Sequence, residues 1–453
     1  MDVIAAISTA NALSAIGIVR VSGEGCFALC DKIFQPAGGG LFSVSRSREM
    51  VLGRLLDQEG RVVDSCLAVR FPGPASYTGE DCAEFHCHGS PVVLGEALSA
   101  LFAAGARQAG RGEFTKRAFL NGRMDLTQAE AVIDLIESET AQAARNAVEQ
   151  LGGALRSRIE PVYDGLLDSA SRFYAVVDYP DEDIEDLTRK DTLAALNRAE
   201  RTLETLLATA GRGRILRQGV PTAILGRPNV GKSSLLNALV GYDRAIVTDV
   251  AGTTRDTVEE RAAVGGVLLR LIDTAGIRET RDEVERLGVE RSRRAAEAAE
   301  LALLVLDGSQ VMTEEDHAAA EAARMVPRTL VVINKSDLPR RLEPAALEGL
   351  GPVLSVSARE GTGLEALERA VGALFPPGAA PAGEVLTNAR QTEALGRALE
   401  AVRGARSALL EGLTPDAALS DVERAMNALG EVTGRTLRED LTARIFERFC
   451  VGK

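Results

Sequence analysis

Apolar positions along the chain follow two different periodicities. Within residues 1–118, short apolar runs at 15–21, 66–71 and 83–88 alternate with glycine-rich turns and predict strands, and the run over 91–104 predicts a helix. From about residue 126 to residue 211 the spacing becomes helical, as at Ala129, Val132, Ile133 and Ile136, with breaks expected near Gly152–Gly153 and at residues 179–181. Helical spacing returns after residue 383. The pattern predicts a mixed α+β region at the start and two separate helical segments.

The region between the helical segments alternates apolar strand-like runs with helix-like runs. Residues 222–225 and 330–333 are apolar and short, and residues 234–239 have helical character. Such alternation predicts a mostly parallel sheet covered on both faces. Residues 375–383 are rich in proline, glycine and alanine and form a linker by composition. The economical prediction is that the two helical segments pack together and that the strand–helix module is an insertion.

Length and charge limit the possible classes. A chain of 453 residues predicts two to four domains. The net charge of −13, from 52 basic and 65 acidic residues, argues against a surface that is basic throughout and binds nucleic acid. Local basic clusters remain, and each is either a solvated face or a candidate RNA contact. These clusters are Arg107, Arg111, Lys116, Arg117 and Arg123; Arg212, Arg214 and Arg217; and Arg435, Arg438, Arg444 and Arg448.

The location of the protein is predicted from what the sequence lacks. No apolar run reaches membrane-spanning length, and the start has no basic region followed by an apolar stretch. The six cysteines are scattered without a disulfide framework. We therefore expect a cytoplasmic protein with no membrane partner.

The segment from Gly226 to Ser233 fits the phosphate-binding loop G-x-x-x-x-G-K-[ST], and it lies between a predicted strand and a predicted helix. Glycines let backbone amides approach phosphates, and the helix start adds positive potential. Lys232 is expected to neutralise the β- and γ-phosphates, and the Ser233 hydroxyl to bind Mg²⁺. The predicted phosphate-binding residues are Asn229, Val230, Gly231, Lys232, Ser233 and Ser234.

Two further motifs indicate guanine as the base. Asp273, Thr274, Ala275 and Gly276 follow an apolar strand, where Asp273 can hold Mg²⁺ through water and the Gly276 amide can meet the γ-phosphate. Asn334, Lys335 and Asp337 follow another strand, and the carboxylate can accept from both N1–H and the exocyclic amine of guanine. Ser357 and Ala358 resemble the loop that closes over the base. In this order the motifs predict a GTPase that uses GTP and Mg²⁺.

The position after D-x-x-G, where many small GTPases carry a water-orienting glutamine, is Ile277. No arginine finger is evident within the loop, so the developing charge has to be met otherwise. The segment 248–256 belongs where a mobile first switch is expected, and Thr254 or Thr253 can supply a second Mg²⁺ hydroxyl. Its spare oxygens can hold a monovalent cation near the phosphates. Glu285 either orients water or faces solvent on a helix.

The predicted fold class is a multidomain α/β protein. It combines a mixed α+β N-terminal domain, a discontinuous all-α helical domain, and an inserted Ras-like P-loop GTPase domain with a mostly parallel sheet. The predicted boundaries are residues 1–118 for the N-terminal domain and residues 216–378 for the GTPase domain. The helical domain is predicted to comprise residues 119–215 and 379–453.

The whole chain resembles the MnmE (TrmE) family of tRNA modification GTPases. The resemblance rests on G-I-V-R-V-S-G, S-Y-T-G-E-D, H-C-H-G and R-A-F-L-N-G-R-M-D-L, on the nucleotide motifs, and on the ending C-V-G-K. The run Thr9–Ala15 departs from the family's usual P-P-G-R-G-type loop, and Ser90 and Arg359 replace a usual glycine and a common lysine. The departure at Thr9–Ala15 leaves the contacts of that loop open.

This resemblance implies a homodimer with a folate-binding and dimerising N-terminal domain, and a flavoprotein partner, MnmG (GidA). Together the two proteins add an aminomethyl or carboxymethylaminomethyl group to carbon 5 of the wobble uridine in certain tRNAs. The resemblance implies that a tetrahydrofolate derivative, in its 5,10-methylene or 5-formyl form, supplies the one-carbon unit. GTP hydrolysis is stimulated by K⁺.

The resemblance also implies roles for individual residues. Ser233 and Thr254 look like Mg²⁺ ligands, and Glu285 looks like the water-orienting glutamate. Asn229 and Thr253 look like K⁺ ligands, aided by backbone oxygens of Thr248 and Val250. The nucleotide- and ion-binding segment that contains the last three also includes Asp249, Ala251 and Gly252. The residues that look like folate contacts are Arg20, Glu80, Arg123 and Lys453. Cys450 is assigned with Glu285 and Lys232 to catalysis, and its alternative role is a small apolar filler.

A different function class is a regulatory GTPase in ribosome assembly. Relatives with a hydrophobic residue after D-x-x-G have that role, and they typically carry a basic RNA-binding appendage. This chain has a folate-like region and C-x-G-K instead, which favours tRNA modification.

Overall fold

The fold is described from a computed structural model that covers residues 2–178, 185–242, 260–272, 293–343, 347–376, 378, 380–413, 415–436, 445–447 and 449–452. Contacts divide the chain into two compact units. The first comprises Met1–Ile133, Gln150–Arg201 and Ala394–Lys453, and the second comprises Asp134–Glu149 and Thr202–Glu393.

Strands and helices follow one another along the described residues in the order that the sequence predicts. The strands are β1 (Ile4–Ile7), β2 (Ile16–Ser22), β3 (Phe34–Pro36), β4 (Val51–Leu56), β5 (Val62–Phe71), β6 (Cys82–His88), β7 (Arg107–Gln108), β8 (Val220–Leu225), β9 (Glu260–Val264), β10 (Val267–Ile272), β11 (Leu301–Asp307), β12 (Thr329–Asn334) and β13 (Val353–Ser355). The helices are α1 (Cys26–Cys30), α2 (Pro91–Ala104), α3 (Glu113–Leu120), α4 (Leu126–Ile136), α5 (Ala141–Leu151), α6 (Ala154–Asp178), α7 (Glu185–Leu207), α8 (Ala210–Gln218), α9 (Lys232–Tyr242), α10 (Glu314–Arg324), α11 (Leu364–Leu374), α12 (Ala389–Leu410) and α13 (Pro415–Thr433).

The first unit contains a seven-stranded sheet in the order β3-β4-β5-β6-β2-β1-β7. Its pairs are antiparallel except for β1 with β7, which is parallel. Alternation along β2 and β6 sends Val19, Val21, Phe85 and Cys87 into the core that α2 covers. The opposite face carries polar side chains, among them Arg20 opposite Glu84 in the register of β2 and β6.

Helices from both ends of the chain pack together in the first unit. Arg435 donates from Nη2 to Glu160 Oε1 at 2.8 Å, and its guanidinium lies 4.6 Å from the ring centroid of Tyr163 on α6. Arg435 follows the end of α13, and within that helix Glu423 hydrogen-bonds Tyr174 of α6. The helical segments before and after the second sheet therefore belong to one discontinuous helical layer, as the sequence predicts.

The second unit is built on a six-stranded sheet in the order β13-β12-β11-β8-β10-β9. Every pair is parallel except β9 with β10. Buried apolar side chains on both faces of β8, β11 and β12 form two separate cores, since each face is covered by other elements. In a parallel sheet of this kind the carboxyl ends of the strands share one edge, which is where ligands bind.

The chain enters and leaves the second sheet at neighbouring points. The hydroxyl of Thr209, just before α8, accepts a hydrogen bond from Leu386 N at 3.0 Å and donates one to Glu384 O at 3.3 Å. Asn146 of α5 donates to Val385 O at 3.2 Å and accepts from Gly383 N at 2.8 Å. The returning segment 383–387 is thus fastened beside the start of α8.

The multidomain α/β fold class is confirmed, and several elements agree closely with the sequence pattern. The predicted helix at 91–104 is α2, and the break at Gly152–Gly153 separates α5 from α6. The break expected at residues 179–181 lies outside the described residues. The predicted boundaries after residues 118 and 215 fall inside α3 and α8, and the domain limits remain a proposal.

Candidate functional site

The loop between β8 and α9 depends on glycine at two places. Gly226 has φ 144°, and a Cβ there would lie 2.3 Å from Val305 O of the neighbouring strand β11. Gly231 has φ 98°, and a Cβ there would lie 2.1 Å from Asn334 Nδ2. Any side chain at either position would push the loop off the strand ends. The loop therefore has the close-packed backbone that a phosphate cradle needs.

Lys232 begins α9 and turns its amine back into the loop. Its Nζ donates to Gly226 O at 2.5 Å and to Arg227 O at 2.9 Å. Burial lowers the pKa of Lys232, and the nearby carboxylate of Glu315 opposes that shift. A phosphate beside this amine would relieve the cost of burying its charge. Lys232 thus fits the phosphate-neutralising role that the sequence predicts.

A second pair of contacts ties the phosphate-binding loop to the segment that follows β12. Asn334 is buried and donates from Nδ2 to Val230 O at 2.9 Å, while its Oδ1 accepts from Ala358 N at 3.0 Å. Lys335 donates from Nζ to Asn229 O at 3.0 Å. The phosphate side, the predicted base side and the predicted base-closing loop are thereby joined at one edge of the sheet.

The residues predicted to select guanine are also adjacent. Asp337 accepts from Ser357 Oγ at 2.6 Å. This hydrogen bond is the main cause that holds the pKa of Asp337 below its usual value. The carboxylate is therefore ionised and oriented, which is the state that accepts hydrogen bonds from the N1–H and amino group of guanine.

Arg227 anchors the phosphate-binding loop to α10. Its Nε donates to Asp316 Oδ2 at 3.0 Å, and its Nη2 to Gln310 Oε1 at 2.6 Å. The same carboxylate oxygen caps α10, since it accepts from Thr313 N at 3.0 Å. The phosphate-binding loop is therefore held by α10 on one side and by the segment after β12 on the other.

Several predicted nucleotide and ion ligands lie outside the described residues. They are Thr248, Asp249, Val250, Ala251, Gly252, Thr253, Thr254, Asp273, Thr274, Ala275, Gly276 and Glu285. The predicted phosphate-binding residues are described: residues 229–231 lie in the loop, and residues 232–234 form the first turn of α9. The described residues thus fit a guanine nucleotide and supply Ser233 as one hydroxyl for Mg²⁺.

The polar face of the first sheet carries the predicted folate contact Arg20. Its Nε donates to Glu84 Oε1 at 2.8 Å, and its guanidinium lies 5.1 Å from the ring centroid of Tyr77 and 5.7 Å from that of Phe114. Arg20 and Glu84 are each 17% exposed at the side chain, so the pair is accessible at one edge only. The Phe114 ring is fully buried, so the groups that can meet a flat, polar aromatic ligand here are the arginine, the carboxylate and the Tyr77 side chain.

Glu80 lies near this group but has different partners. Its Oε2 accepts from Ser22 Oγ at 3.0 Å and from Arg117 Nη1 at 2.9 Å. Arg123 is exposed, and its aliphatic stem packs beside Gly79. The structure therefore brings Arg20, Glu80 and Arg123 around the same loop of residues 77–80, whereas Lys453 lies outside the described residues.

The end of the chain returns to the first sheet. Cys450 O accepts from Gly112 N at 3.2 Å, Val451 forms an antiparallel bridge with Arg111, and Ser8 Oγ donates to Gly452 O at 3.0 Å. Cys450 is exposed, whereas the other five cysteines are free and buried. Backbone pairing therefore fixes residues 450–452 while the Cys450 thiol is left accessible.

Comparison with known proteins adds evidence over the whole chain. A family model for the GTP-binding protein TrmE N-terminus matches residues 3–123, and one for the MnmE helical domain matches residues 126–450. The chain is 44% identical over 464 residues to the tRNA modification GTPase MnmE of Heliobacterium modesticaldum, covering 100% of this chain and 99% of the relative. The chain belongs to the MnmE family of tRNA modification GTPases.

Other members of this family give similar values. The tRNA modification GTPases MnmE of Roseiflexus sp. and Alkaliphilus oremlandii are 44% and 43% identical to the chain, with 100% of the chain and 99% of each relative covered. A solved structure, the G domain of the T. maritima FeoB iron transporter, matches 34% of this chain and 96% of its own at 25% identity. Its TM-score of 0.25 is too low to support an inference.

Membership of the MnmE family confirms the predicted family and the predicted enzyme class, a GTP hydrolase of tRNA modification. GTP and Mg²⁺ follow as its ligands, since the family is one of GTPases. In the part of the chain that the structure describes, no helix is long and apolar enough to cross a membrane.

Three residues at these sites were not singled out for the roles that the structure gives them. Asp307 and Glu84 did not appear among the sequence candidates, and Arg117 appeared only as part of a basic cluster. Asp307 accepts a hydrogen bond from Lys335 Nζ at 2.6 Å and ends the buried strand β11. An acid after an apolar run is also what identified Asp273, so the sequence held a usable indication. The partners of Glu84 and Arg117 depend on strand register and helix docking, which the sequence pattern does not reveal.

Proposed function

We propose that this protein is the K⁺-stimulated GTPase component of a complex that modifies carbon 5 of the wobble uridine in certain tRNAs. In this proposal it works as a cytoplasmic homodimer with a flavoprotein partner, MnmG. The group added is aminomethyl or carboxymethylaminomethyl, and its one-carbon unit comes from a tetrahydrofolate derivative. The observation that carries the proposal is family membership over the full chain, combined with two separate polar sites on two separate sheets.

The nucleotide part of the proposal is supported by the paired loops. Asn334 and Lys335 hold the carbonyls of Val230 and Asn229, and Ser357 orients Asp337. These contacts preorganise a phosphate end and a base end at a fixed spacing, which lowers the cost of ordering the site on binding. Lys232 neutralises phosphate charge, Ser233 and Thr254 bind Mg²⁺, and Glu285 orients the attacking water.

The potassium part rests on Asn229. Its side chain is exposed, and its backbone has φ 62°. A bound K⁺ supplies positive charge near the phosphates in place of an arginine. Asn229, Thr248, Val250 and Thr253 are the proposed ligands, and the last three lie outside the described residues.

The folate part is supported by the group around residues 77–80. Arg20 and Arg123 suit the carboxylates of a folate, and Glu80 can accept from the amino donors of a pterin. We add Glu84 to this set, because it is the carboxylate that contacts Arg20, whose guanidinium lies beside the ring of Tyr77. Lys453 completes the set, and Cys450 is proposed to take part in the tRNA chemistry.

The proposal is tested by mass spectrometry of wobble uridines. Cells that lack the protein are complemented with the wild type, with Lys232→Ala or with Arg20→Ala, and tRNA is digested to nucleosides. We expect the modified uridine to disappear in the deletion strain, to return with the wild type, and to stay absent with Lys232→Ala because hydrolysis is lost. Arg20→Ala should hydrolyse GTP at the wild-type rate and still fail to restore the nucleoside.

Two results would contradict different parts of the proposal. Unchanged wobble uridines in the deletion strain would remove the assignment to this modification. Full restoration by Arg20→Ala would leave the GTPase in place and remove the folate site. The ribosome-assembly alternative predicts altered ribosomal particles with normal wobble uridines, which the same cells reveal by sucrose-gradient profiles.

A further inference from the structure

A buried carboxylate at the end of β11 lies between the two nucleotide-binding loops. Asp307 is 2% exposed at the side chain, and its Oδ2 accepts from Lys335 Nζ at 2.6 Å. Its other oxygen, Oδ1, accepts from Ser309 N at 2.9 Å and from Ser309 Oγ at 2.7 Å. Both carboxylate oxygens are therefore fixed, and among the residues that the structure describes the cation paired with Asp307 is Lys335.

That cation reaches across to the phosphate-binding loop. The same Nζ of Lys335 that contacts Asp307 also donates to Asn229 O at 3.0 Å. The amine is thus shared between a strand end and the backbone of the loop. Because an ion pair with a buried acid is stronger than a neutral hydrogen bond, Asp307 fixes where the amine can be, and the amine fixes the carbonyl of Asn229.

Three non-glycine residues in the described part of the chain have a positive φ, and the hydrogen bond from Lys335 to Asn229 joins two of them, while the third, Arg48, lies in the first unit. Asn229 and Lys335 both have φ 62°, a left-handed conformation that few residues other than glycine adopt. Such conformations persist where surrounding contacts hold them, and they cluster at functional sites. Here the holding contacts are the hydrogen bond from Lys335 to Asn229 and the ion pair from Lys335 to Asp307.

We propose that Asp307 is a positioning residue for nucleotide binding, which acts through Lys335 to set the spacing between the phosphate-binding loop and the guanine-selecting loop. Asp307 itself need not touch the nucleotide. The pair holds the base end and the phosphate end of the site in the bound arrangement before GTP or GDP arrives. The pKa of Asp307 agrees with this role: burial raises it, but the hydrogen bonds from Lys335 and Ser309 outweigh burial and keep it below its usual value.

The inference depends on guanine nucleotide binding alone and not on potassium, folate or the flavoprotein. Its test measures dissociation of mant-GDP from the full-length protein after excess GDP is added. Asp307→Asn keeps the shape of the side chain and an acceptor for Ser309, and it removes the charge that holds Lys335. Lys335→Met keeps the aliphatic stem and removes the amine. We expect either change to speed mant-GDP release about tenfold, because the loops must then be ordered by the nucleotide itself.

A double-mutant cycle separates positioning from plain stabilisation. If Asp307 acts only through Lys335, the variant with both Asp307→Asn and Lys335→Met should release mant-GDP no faster than Lys335→Met alone. The double variant also has no unpaired buried charge, so it stays informative if Asp307→Asn alone folds poorly. The matched control is Asp134→Asn, which removes another acid of the same unit whose contacts include Arg217 and Thr387, outside both loops.

The outcomes are distinct. Faster release in Asp307→Asn and Lys335→Met, without additivity and with normal release in Asp134→Asn, supports the positioning role. Release at the wild-type rate in Asp307→Asn, with only a lower melting temperature, would show that the pair merely stabilises the sheet and would overturn the inference. Additive effects would overturn it as well, since Asp307 would then act by another route. Loss of mant-GDP binding by the wild type would remove the nucleotide site itself.

Discussion

Two residues of the phosphate-binding loop, Asn229 and Lys232, have a strained backbone and a buried amine, respectively. Asn229 exposes its side chain in a left-handed backbone conformation, while its carbonyl is occupied by Lys335. Lys232 keeps a buried amine on two carbonyls of its own loop, and burial lowers its pKa. In the proposed mechanism, the side-chain oxygen of Asn229 serves a cation and the amine of Lys232 serves the phosphates.

The role of Asn229 leads to a prediction about alkali cations. Hydrolysis of GTP by the wild type should be faster in K⁺ than in Na⁺ by about tenfold or more, because in the proposed mechanism the cation replaces a missing positive side chain. Asn229→Gly should remove that difference and still bind GTP. Glycine tolerates φ 62° without strain, so the variant removes the side-chain oxygen and leaves the loop backbone intact.

Steady-state rates in matched KCl and NaCl solutions measure this effect, and mant-GDP binding checks the integrity of the site. Asn229→Asp is the companion variant, since it keeps an oxygen at the same position. Equal rates of the wild type in the two salts would exclude a potassium mechanism.

At the scale of elements, α8, which leads into the second sheet, and the segment 383–387, which leads away from it, approach each other closely through their backbones. Gly213 in α8 faces the returning segment, and a Cβ at that position would lie 1.7 Å from Leu386 O. Thr209 and Asn146 hydrogen-bond the same returning segment. The contact between α8 and residues 383–387 therefore requires a helix surface with no side chain at residue 213.

A methyl group at this contact should weaken it. We expect Gly213→Ala to destabilise the second unit by about 1–3 kcal/mol, because backbone atoms cannot yield as a flexible side chain does. Gly211 belongs to the same helix and has no atom within 4 Å of its would-be Cβ. Gly211→Ala should therefore stabilise by about 0.5–1 kcal/mol through helix propensity alone.

Differential scanning calorimetry of the two variants, recorded side by side, measures the difference. Opposite shifts of the melting temperature are expected from the same substitution at positions two residues apart. Equal shifts would mean that the close approach at Gly213 carries no stability.

At the scale of the whole molecule, the two ends of the chain meet at one sheet. Gly452 has φ 99°, and a Cβ there would lie 2.2 Å from Ile7 O at the end of β1. Backbone hydrogen bonds and a bridge hold residues 450–452 against Gly112, Arg111 and Ser8. The proposed tRNA chemistry and the GTPase chemistry therefore lie on different sheets and should be separable by mutation.

Gly452→Ala tests that separation. The added methyl group would collide with the carbonyl of Ile7, and a left-handed backbone disfavours alanine, so the tail should leave its place. We expect GTP hydrolysis at the wild-type rate and loss of the modified wobble uridine in complemented cells. Val451→Ala, which trims a 44% exposed side chain and keeps the backbone pairing, should retain both activities.

Deletion of residues 450–453 should reproduce the result of Gly452→Ala. Hydrolysis rates and nucleoside analysis of the same strains provide the measurement. A normal content of modified uridine in the deletion strain would contradict the role assigned to the tail, whatever the effect on stability.

The sequence by itself determined the elements and the nucleotide motifs. The apolar run over 91–104 predicted α2, and the glycine pair at 152–153 predicted the break between α5 and α6, because both features depend on residues close together in the sequence. The loop at 226–233 was predictable because its motif is a run of consecutive residues between one strand and one helix.

Only the tertiary structure decided which charges meet. Glu84 contacts Arg20 because β6 pairs with β2 in one register, and Asp307 contacts Lys335 because β11 and β12 end side by side. Arg107, a member of a basic cluster in the sequence, is neutralised by Asp2 and by Glu113 of α3, and Arg117 of α3 is paired with Asp2 near the start of the chain. Strand order, register and helix docking depend on contacts distant in sequence, and for that reason these pairs could not be predicted from local pattern.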